Sequence, residues 1–295
     1  MQARYLQETK LRRTGRESRM GIVQDIKKQA SKNGTVIQSS EAQKLWTILN
    51  KAFYLPHDIE NETKFINMVM TRGADSQERV GLHASSMLTS DKAFCCRFQV
   101  LSLLYKQVQK EGVQVSLLRI FEEGNAIHEK WQRMFIRAGW STWDQLDFTQ
   151  FAEQYKMSFT PDIICSIPEF YDGQMIGEIK SVNTFQYKRM TKHPSAWKQC
   201  QWYMHLTGLK KGFVLCEDKN NQEFKLEVYD YDPDAVAPFI DRAEEVIYRY
   251  NRVVNDHKMV GRPTDATSPS CKRCIDCAMK DACWNIGMGR VKISG

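Results

Sequence analysis

Thr160-Pro161-Asp162, followed sixteen residues after the aspartate by Glu178-Ile179-Lys180, sets two carboxylates and an amine at a spacing suited to phosphodiester chemistry. Side chains two apart on a strand point to one face, so Glu178 and Lys180 share a face. Asp162 stands at the start of one expected strand and Glu178 near the end of its hairpin partner, which lets the two carboxylates converge. Carboxylates so placed hold Mg²⁺ or Mn²⁺, which neutralises a phosphate and lowers the pKa of a bound water. The lysine then orients or deprotonates that water and stabilises charge developing on the phosphoryl oxygens. A short acid–lysine pattern also occurs on ordinary solvated hairpins, so its neighbours matter. His128, closing Glu123-Gly124-Asn125-Ala126-Ile127-His128 on a helix just upstream, is an imidazole suited to a manganese-type site. Downstream, Gln199-x-x-x-Tyr203 puts an amide and a phenol one helical turn apart.

The cysteines form a second pattern. There are nine, and four of them make Cys271-x2-Cys274-x2-Cys277-x5-Cys283. A disulfide framework spreads its cysteines over a short secreted chain, whereas a tight group in a long chain points to metal. Two metals compete: a structural Zn²⁺ held by four thiolates and an iron–sulfur cluster, which also takes four cysteines. Cys165, Cys200 and Cys216 fall in expected strands or helices and read as small buried hydrophobes.

Periodicity supplies the elements that must position these groups. An amphipathic helix begins near Glu41, with Leu45, Leu49 and Phe53 on one stripe. A helix is expected within 84–110, capped by serines and an aspartate, and another over 117–138, ending before Gly139. Strands follow at 153–159, 162–167 and 174–182, the last two joined at Tyr171-Asp172-Gly173, where Asp-Gly tolerates positive φ. A helix at 194–208, strands at 213–217 and 223–229, and a long helix over 233–256 complete an α/β domain. Residues 1–80 read as a helical N-terminal region, 81–260 as the core and 261–295 as a C-terminal cysteine segment. The first 32 residues carry nine Lys/Arg against three acids, as a basic arm would.

Composition narrows the classes. The 295 residues carry 42 Lys+Arg against 35 Asp+Glu, a net +7, with 42% hydrophobic and 26% charged residues. That is a globular mix, which excludes pervasive disorder, collagen and coiled coil. No apolar run approaches the roughly 20 residues that span a bilayer, and no apolar h-region follows the cations of the first residues. A soluble, cytoplasmic chain without membrane contact is expected. Lys188, Arg189, Lys192, Lys198, Lys210 and Lys211 are candidate phosphate contacts, and Phe185, Tyr187, Trp197 and Trp202 candidate platforms for unpaired bases. No P-loop motif is present, so any unwinding of a duplex falls to a partner.

With these residues in order, the chain resembles the RecB-type branch of the PD-(D/E)XK nuclease superfamily, especially the CRISPR-associated and phage-encoded iron–sulfur exonucleases, over about residues 84–285. The resemblance implies a restriction-endonuclease-like α/β core, a mixed central sheet flanked by helices, closed by a C-terminal cysteine clasp. It implies His128, Asp162, Glu178 and the Ile179 carbonyl as ligands of Mg²⁺ or Mn²⁺, Lys180 as the catalytic lysine, and Gln199 and Tyr203 as groups that position the lysine or the DNA. It favours a 4Fe-4S cluster on Cys274, Cys277, Cys283 and a distant N-terminal cysteine, here Cys95 in Phe94-Cys95-Cys96-Arg97. The chain departs from the pattern in having Cys271 and Cys96 as further candidates, so a local Cys271–Cys283 site stays open. The implied function is a metal-dependent DNA exonuclease of recombination, repair or phage DNA processing, working with a helicase, recombination or single-strand-binding protein in the (host) cytoplasm. An endonuclease on the same core and a non-catalytic DNA-binding module with a structural metal cluster are the alternatives.

Overall fold

The computed structural model describes residues 39–75, 81–105, 115–146 and 149–285. The expected basic arm lies outside them. In chain order the elements are α1 (Ser40–Ala52), α2 (Ile59–Asp75), β1 (Leu82–His83), a 3₁₀ turn (Ala84–Leu88), α3 (Cys96–Leu104), α4 (Val115–Arg137), β2 (Gln150–Ala152), a second 3₁₀ turn (Glu153–Tyr155), β3 (Met157–Phe159), β4 (Ile163–Ser166), β5 (Gln174–Val182), α5 (Thr184–Arg189), α6 (Ala196–Thr207), β6 (Lys211–Asp218), β7 (Phe224–Asp230), α7 (Pro233–Asp256) and α8 (Lys280–Asn285).

β4, β5, β6 and β7 pair in that order into a mixed sheet. The β4–β5 pair is antiparallel with Ile163 opposite Gly177, β5–β6 is parallel with Lys180 opposite Cys216, and β6–β7 is antiparallel with Val214 opposite Glu227. A parallel step requires a crossover, which α5 and α6 supply. Alternation along β5 and β6 then divides the core in two. Ile176 and Val214 pack with Cys200, Tyr203 and Met204 of α6 and with α3 and α7. Met175, Ile179, Phe213 and Leu215 face the other way, against Leu45 and Leu49 of α1, Phe65 of α2 and Trp131 and Phe135 of α4. The result is the expected restriction-endonuclease-like arrangement, a mixed sheet with helices on both faces. Gly177 permits the tight part of it: a Cβ there would meet the Phe213 Cζ at 2.4 Å.

Local chemistry sets the ends of the helices. The Ser39 hydroxyl accepts the Ala42 N–H at 3.1 Å and opens α1. An Asp232 carboxylate oxygen accepts the N–H groups of Asp234 and Ala235 at 2.9 and 3.3 Å and opens α7 behind Pro233.

Two expected elements differ from the sequence reading. The helix within 84–110 begins only at Cys96, because Ser90 closes a turn by accepting the N–H groups of Ala93 and Phe94. Its cap is the Cys95 sulfur, which accepts the Phe98 N–H at 3.4 Å, and not a serine or aspartate. Of the single strand expected at 153–159 only 157–159 is strand: Glu153–Tyr155 form a 3₁₀ turn that ends at Lys156, left-handed at φ 46°, and a further short strand, β2, precedes it. β3 instead pairs with β1 and β2 in a separate small sheet.

Candidate active site

The register that puts Ile163 opposite Gly177 sets Asp162, one residue earlier, opposite Glu178. Both carboxylates thus lie on the α6 side of the sheet, together with Lys180. An Asp162 carboxylate oxygen accepts the Ile179 N–H at 2.7 Å and its other oxygen stands 3.4 Å from the His128 Nδ1. The Lys180 ammonium pairs with Glu178 and donates to the Gln199 Oε1 at 3.2 Å. The Gln199 amide in turn donates to the Tyr203 hydroxyl at 3.1 Å. The structure therefore brings His128, Asp162, Glu178, Lys180, Gln199 and Tyr203 into one connected set.

Three anchors hold α4 where His128 meets Asp162. The Gln132 amide donates to the Asp162 main-chain oxygen at 2.7 Å. Lys130 and the Trp131 indole N–H reach the buried Glu217 of β6 at 2.5 and 2.6 Å. Arg133 and Arg137 grip Glu62 of α2 at 2.9 and 3.2 Å. Sequence reading missed Gln132, although its place one turn after His128 on the same helical face was a usable signal.

Electrostatics separate the two acids. Burial raises the Asp162 pKa, but His128, Lys180 and the Ile179 N–H together outweigh it and hold this carboxyl below its ordinary range. Glu178 is raised, first by burial and then by the Asp162 charge, with Lys180 offsetting only part. Burial disfavours the His128 cation, yet Asp162 prevails and the imidazole is raised. Packed carboxylates of this kind favour a bound cation, and the Glu178 Oε2 is buried with no hydrogen-bond partner. An imidazole and two carboxylates, one of them with that orphaned oxygen, fit Mg²⁺ or Mn²⁺ as a donor set. As placed, no three His, Cys, Asp or Glu side chains among the described residues already converge as metal ligands.

The cysteines gather around α3. Cys95, Cys274, Cys277 and Cys283 line one cavity of about 420 Å³, whereas Cys271 is not part of its wall. Burial lifts the Cys95 thiol, with the Cys277 and Cys283 sulfurs adding to the effect. Arg97, only 3% exposed, donates to the Cys283 sulfur and main-chain oxygen, both at 3.1 Å. Arg262 donates to that same oxygen at 2.8 Å, and Arg273 reaches the main-chain oxygens of Ala93 and Phe94 at 3.4 and 3.3 Å. Cys96 points elsewhere: burial pushes its thiol up to about 11, with Glu245 and Arg249 of α7 as its charged neighbours. Four thiols on one cavity wall are the donor type of a four-cysteine metal group, although as placed no three of them converge on one point.

Surface candidates divide. Lys188, Arg189 and Lys192 are exposed, and Lys198 is half-buried. Lys192 and Lys198 lie over the half-buried Trp197 ring at 5.2 and 5.7 Å. Trp202 is a correction: it is 0% exposed, stacked on His205 inside the core, and offers no face to a base. Its position on α6 turns it toward α7 rather than to solvent. Tyr187 is buried as well, under the Lys225 ammonium. Lys211 is buried and paired with Glu41 and Asp230 at 2.9 Å, which withdraws it from phosphate contact. No described helix is long and apolar enough to cross a membrane.

No family model and no curated protein matches this sequence. Among solved structures the chain is similar to LHK-Exo in complex with dAMP, at 14% identity and a TM-score of 0.44, over 60% of this chain and 91% of that one. It is similar to the alkaline exonuclease LHK-Exo from Laribacter hongkongensis at 12% identity and a TM-score of 0.43, over 61% and 92%. For SSO0001 the values are 12% and 0.37, over 73% and 90%. All three likenesses are remote; the fold and chemistry of this chain stand on its own topology and side chains.

Proposed function

We propose that this chain is a metal-dependent DNA nuclease of the PD-(D/E)XK type that hydrolyses phosphodiesters with water and no covalent intermediate. The observation that carries the reading is the connected set His128–Asp162–Glu178–Lys180–Gln199–Tyr203, assembled on adjoining strands and the two helices beside them. His128, Asp162 and Glu178, with the Ile179 carbonyl, are the groups that would hold one or two Mg²⁺ or Mn²⁺ ions. A metal there supplies a water of lowered pKa and neutralises the phosphate. Lys180, kept cationic mainly by Glu178 against the effect of burial, stabilises the charge developing on the phosphoryl oxygens. Gln199 fixes the lysine through its carbonyl oxygen and is itself fixed by Tyr203.

In this reading 1–80 is an N-terminal extension, 81–260 the nuclease core and 261–295 a clasp, in the first and last of which 1–38, 76–80 and 286–295 lie outside the described residues. Cys95, Cys274, Cys277 and Cys283 would hold a 4Fe-4S cluster, with Zn²⁺ as the other metal these thiolates suit. Their common cavity supports Cys95 over Cys271 as fourth ligand. The substrate is DNA with free ends, met in recombination, repair or phage DNA processing alongside a helicase or single-strand-binding protein.

The test is digestion of end-labelled linear DNA, single- and double-stranded, beside a covalently closed circle, with Mg²⁺ or Mn²⁺ and protein purified without oxygen. Loss of linear DNA alone, slowed about 10²- to 10³-fold by Lys180→Ala, is the expected result. Cutting of the circle would replace the exonuclease with an endonuclease. Activity undiminished by Lys180→Ala would overturn the mechanism.

A further inference from the structure

β5 continues past the catalytic lysine into a small pocket. Val182, two residues beyond Lys180 and so on its face, lies at the base of a cavity of about 280 Å³ whose wall includes Phe185, Arg189, Met190, His193 and Pro194. That is just below the roughly 300–1,000 Å³ of drug-sized sites, room for one planar ring system rather than a base pair. Phe185 is 65% exposed at its rim, with the Arg189 guanidinium 4.4 Å from the ring centre. The pocket is held open by bonds independent of any ligand. Lys225 donates to the main-chain oxygens of Tyr187 and Met190, and the Asn183 side chain caps the Gln186 N–H at 2.9 Å. The His193 Nδ1 accepts the Ala196 and Ser195 N–H groups at 3.1 and 3.4 Å, leaving Nε2–H as the ring's donor.

The exposed charge beside it is mostly positive, while Asp218, under α5, accepts the Thr184 hydroxyl at 2.9 Å. Between Glu178 and Glu217 the sequence has no Asp or Glu, and besides Lys180 and Lys211, which are paired with acids, it holds Lys188, Arg189, Lys192, Lys198 and Lys210. The carboxylate that faces the loop, Glu227, is taken up by the Tyr229 hydroxyl and the His193 main-chain N–H. Lys188, Arg189 and Lys192 are exposed, and Arg189 is part of the pocket's wall. A polyanion with flat apolar side groups matches this surface, and a strand of DNA is such a polyanion.

We propose that this pocket takes one unpaired nucleobase, stacked on Phe185, of the strand that crosses Lys180, so that the DNA is single-stranded beside the point of cutting. The inference rests on the nuclease reading and names its substrate class. Stacked bases on aromatic rings are sequence-tolerant, so the pocket would select strandedness more than sequence.

The test is binding in EDTA of a short single-stranded oligonucleotide carrying the fluorescent base 2-aminopurine at one position at a time. The full chain should alter the fluorescence most at one position. Phe185→Ala should lose that response and bind roughly 5- to 150-fold more weakly, and Phe185→Tyr should recover both. An abasic nucleotide at the same position should weaken the native chain by the same factor and the Phe185→Ala variant no further. If the native chain binds the oligonucleotide and cuts it with Mn²⁺ while Phe185→Ala and the abasic nucleotide change nothing, the pocket assignment fails and the nuclease survives. If the native chain neither binds nor cuts DNA of any form with metal supplied, the nuclease reading fails and the pocket goes with it.

Discussion

The carboxylate–lysine site and the cysteine site are built by opposite means. Asp162, Glu178 and Lys180 are placed by strand register, and every one of them is already engaged by another protein group. Cys274 and Cys277 sit in an irregular, turn-rich tail and Cys283 on the short α8 that follows, and arginine bonds to main-chain oxygens and one sulfur join this segment to α3 and the residues just before it. A ladder fixes side chains to within fractions of an ångström through many cooperative hydrogen bonds. A tail without a ladder needs a cross-link, and a metal bound by four thiolates is one. The first site therefore keeps its geometry without a ligand, while the second is expected to depend on one.

Metal content probes that contrast most sharply. Cys283→Ser and Cys95→Ser should each abolish the iron or zinc bound per chain in protein purified without oxygen, whereas Cys96→Ser and Cys271→Ser should keep it, as elemental analysis would record. Metal retained in Cys95→Ser but lost in Cys271→Ser would move the site wholly into the tail. Next in size is Lys180→Ala, expected to slow DNA hydrolysis about 10²- to 10³-fold with an unchanged circular dichroism spectrum. An unfolded variant would show that the ladder does not hold the site by itself.

Glu62 measures how far the ladder site leans on the helices behind it. Burial raises its pKa, but bonds from Arg137, His57 and Arg133 outweigh that and hold it at about 2 against an ordinary 4.5. A carboxyl depressed in this way contributes stability in full above its unfolded value, and loses it as pH falls from there through the folded value. Glu62→Gln should cost about 3 kcal/mol at neutral pH, read from urea unfolding. The loss should shrink as the native chain is titrated from pH 4.5 toward 2. A constant difference across that range would mean that packing, not charge, is what the substitution removes.

Gly177→Ala is the smallest expected effect. Its Cβ would meet Phe213 at 2.4 and 2.9 Å and the Ile163 Cβ at 3.0 Å. An overpacking cost of about 2 kcal/mol should lower the melting temperature by about 4–8 °C. Metal content should not change, since the cysteine site stands on other elements.

Much of this was legible in the chain. β5 has the expected bounds, 174–182, and α7 its expected 233–256, because the Asp-Gly turn before the one and the Asp-Pro start of the other leave few alternatives. That Asp162 and Glu178 could converge was also expected from a hairpin joining their strands, whereas the register that sets them opposite each other comes from the sheet. Illegible were the features that depend on distant partners. Trp202 reads as an aromatic beside cations, and only α7 packing across it makes it core. Cys95 and Cys271 are equivalent as letters, and only the fold of the tail back onto α3 puts Cys95 on the shared cavity.

The sequence by itself thus determined most of the longer strands and helices and the carboxylate–lysine face, which follow from periods of a few residues and from neighbouring turns. Tertiary structure alone decided that Gln132 holds Asp162, that Lys211 is spent on Glu41 and Asp230, and that Phe185 overlooks a pocket while Trp202 and Tyr187 do not. The physical reason is range. Local backbone preferences act over a turn or a hairpin, whereas burial and hydrogen bonding between remote segments exist only once the chain has closed on itself.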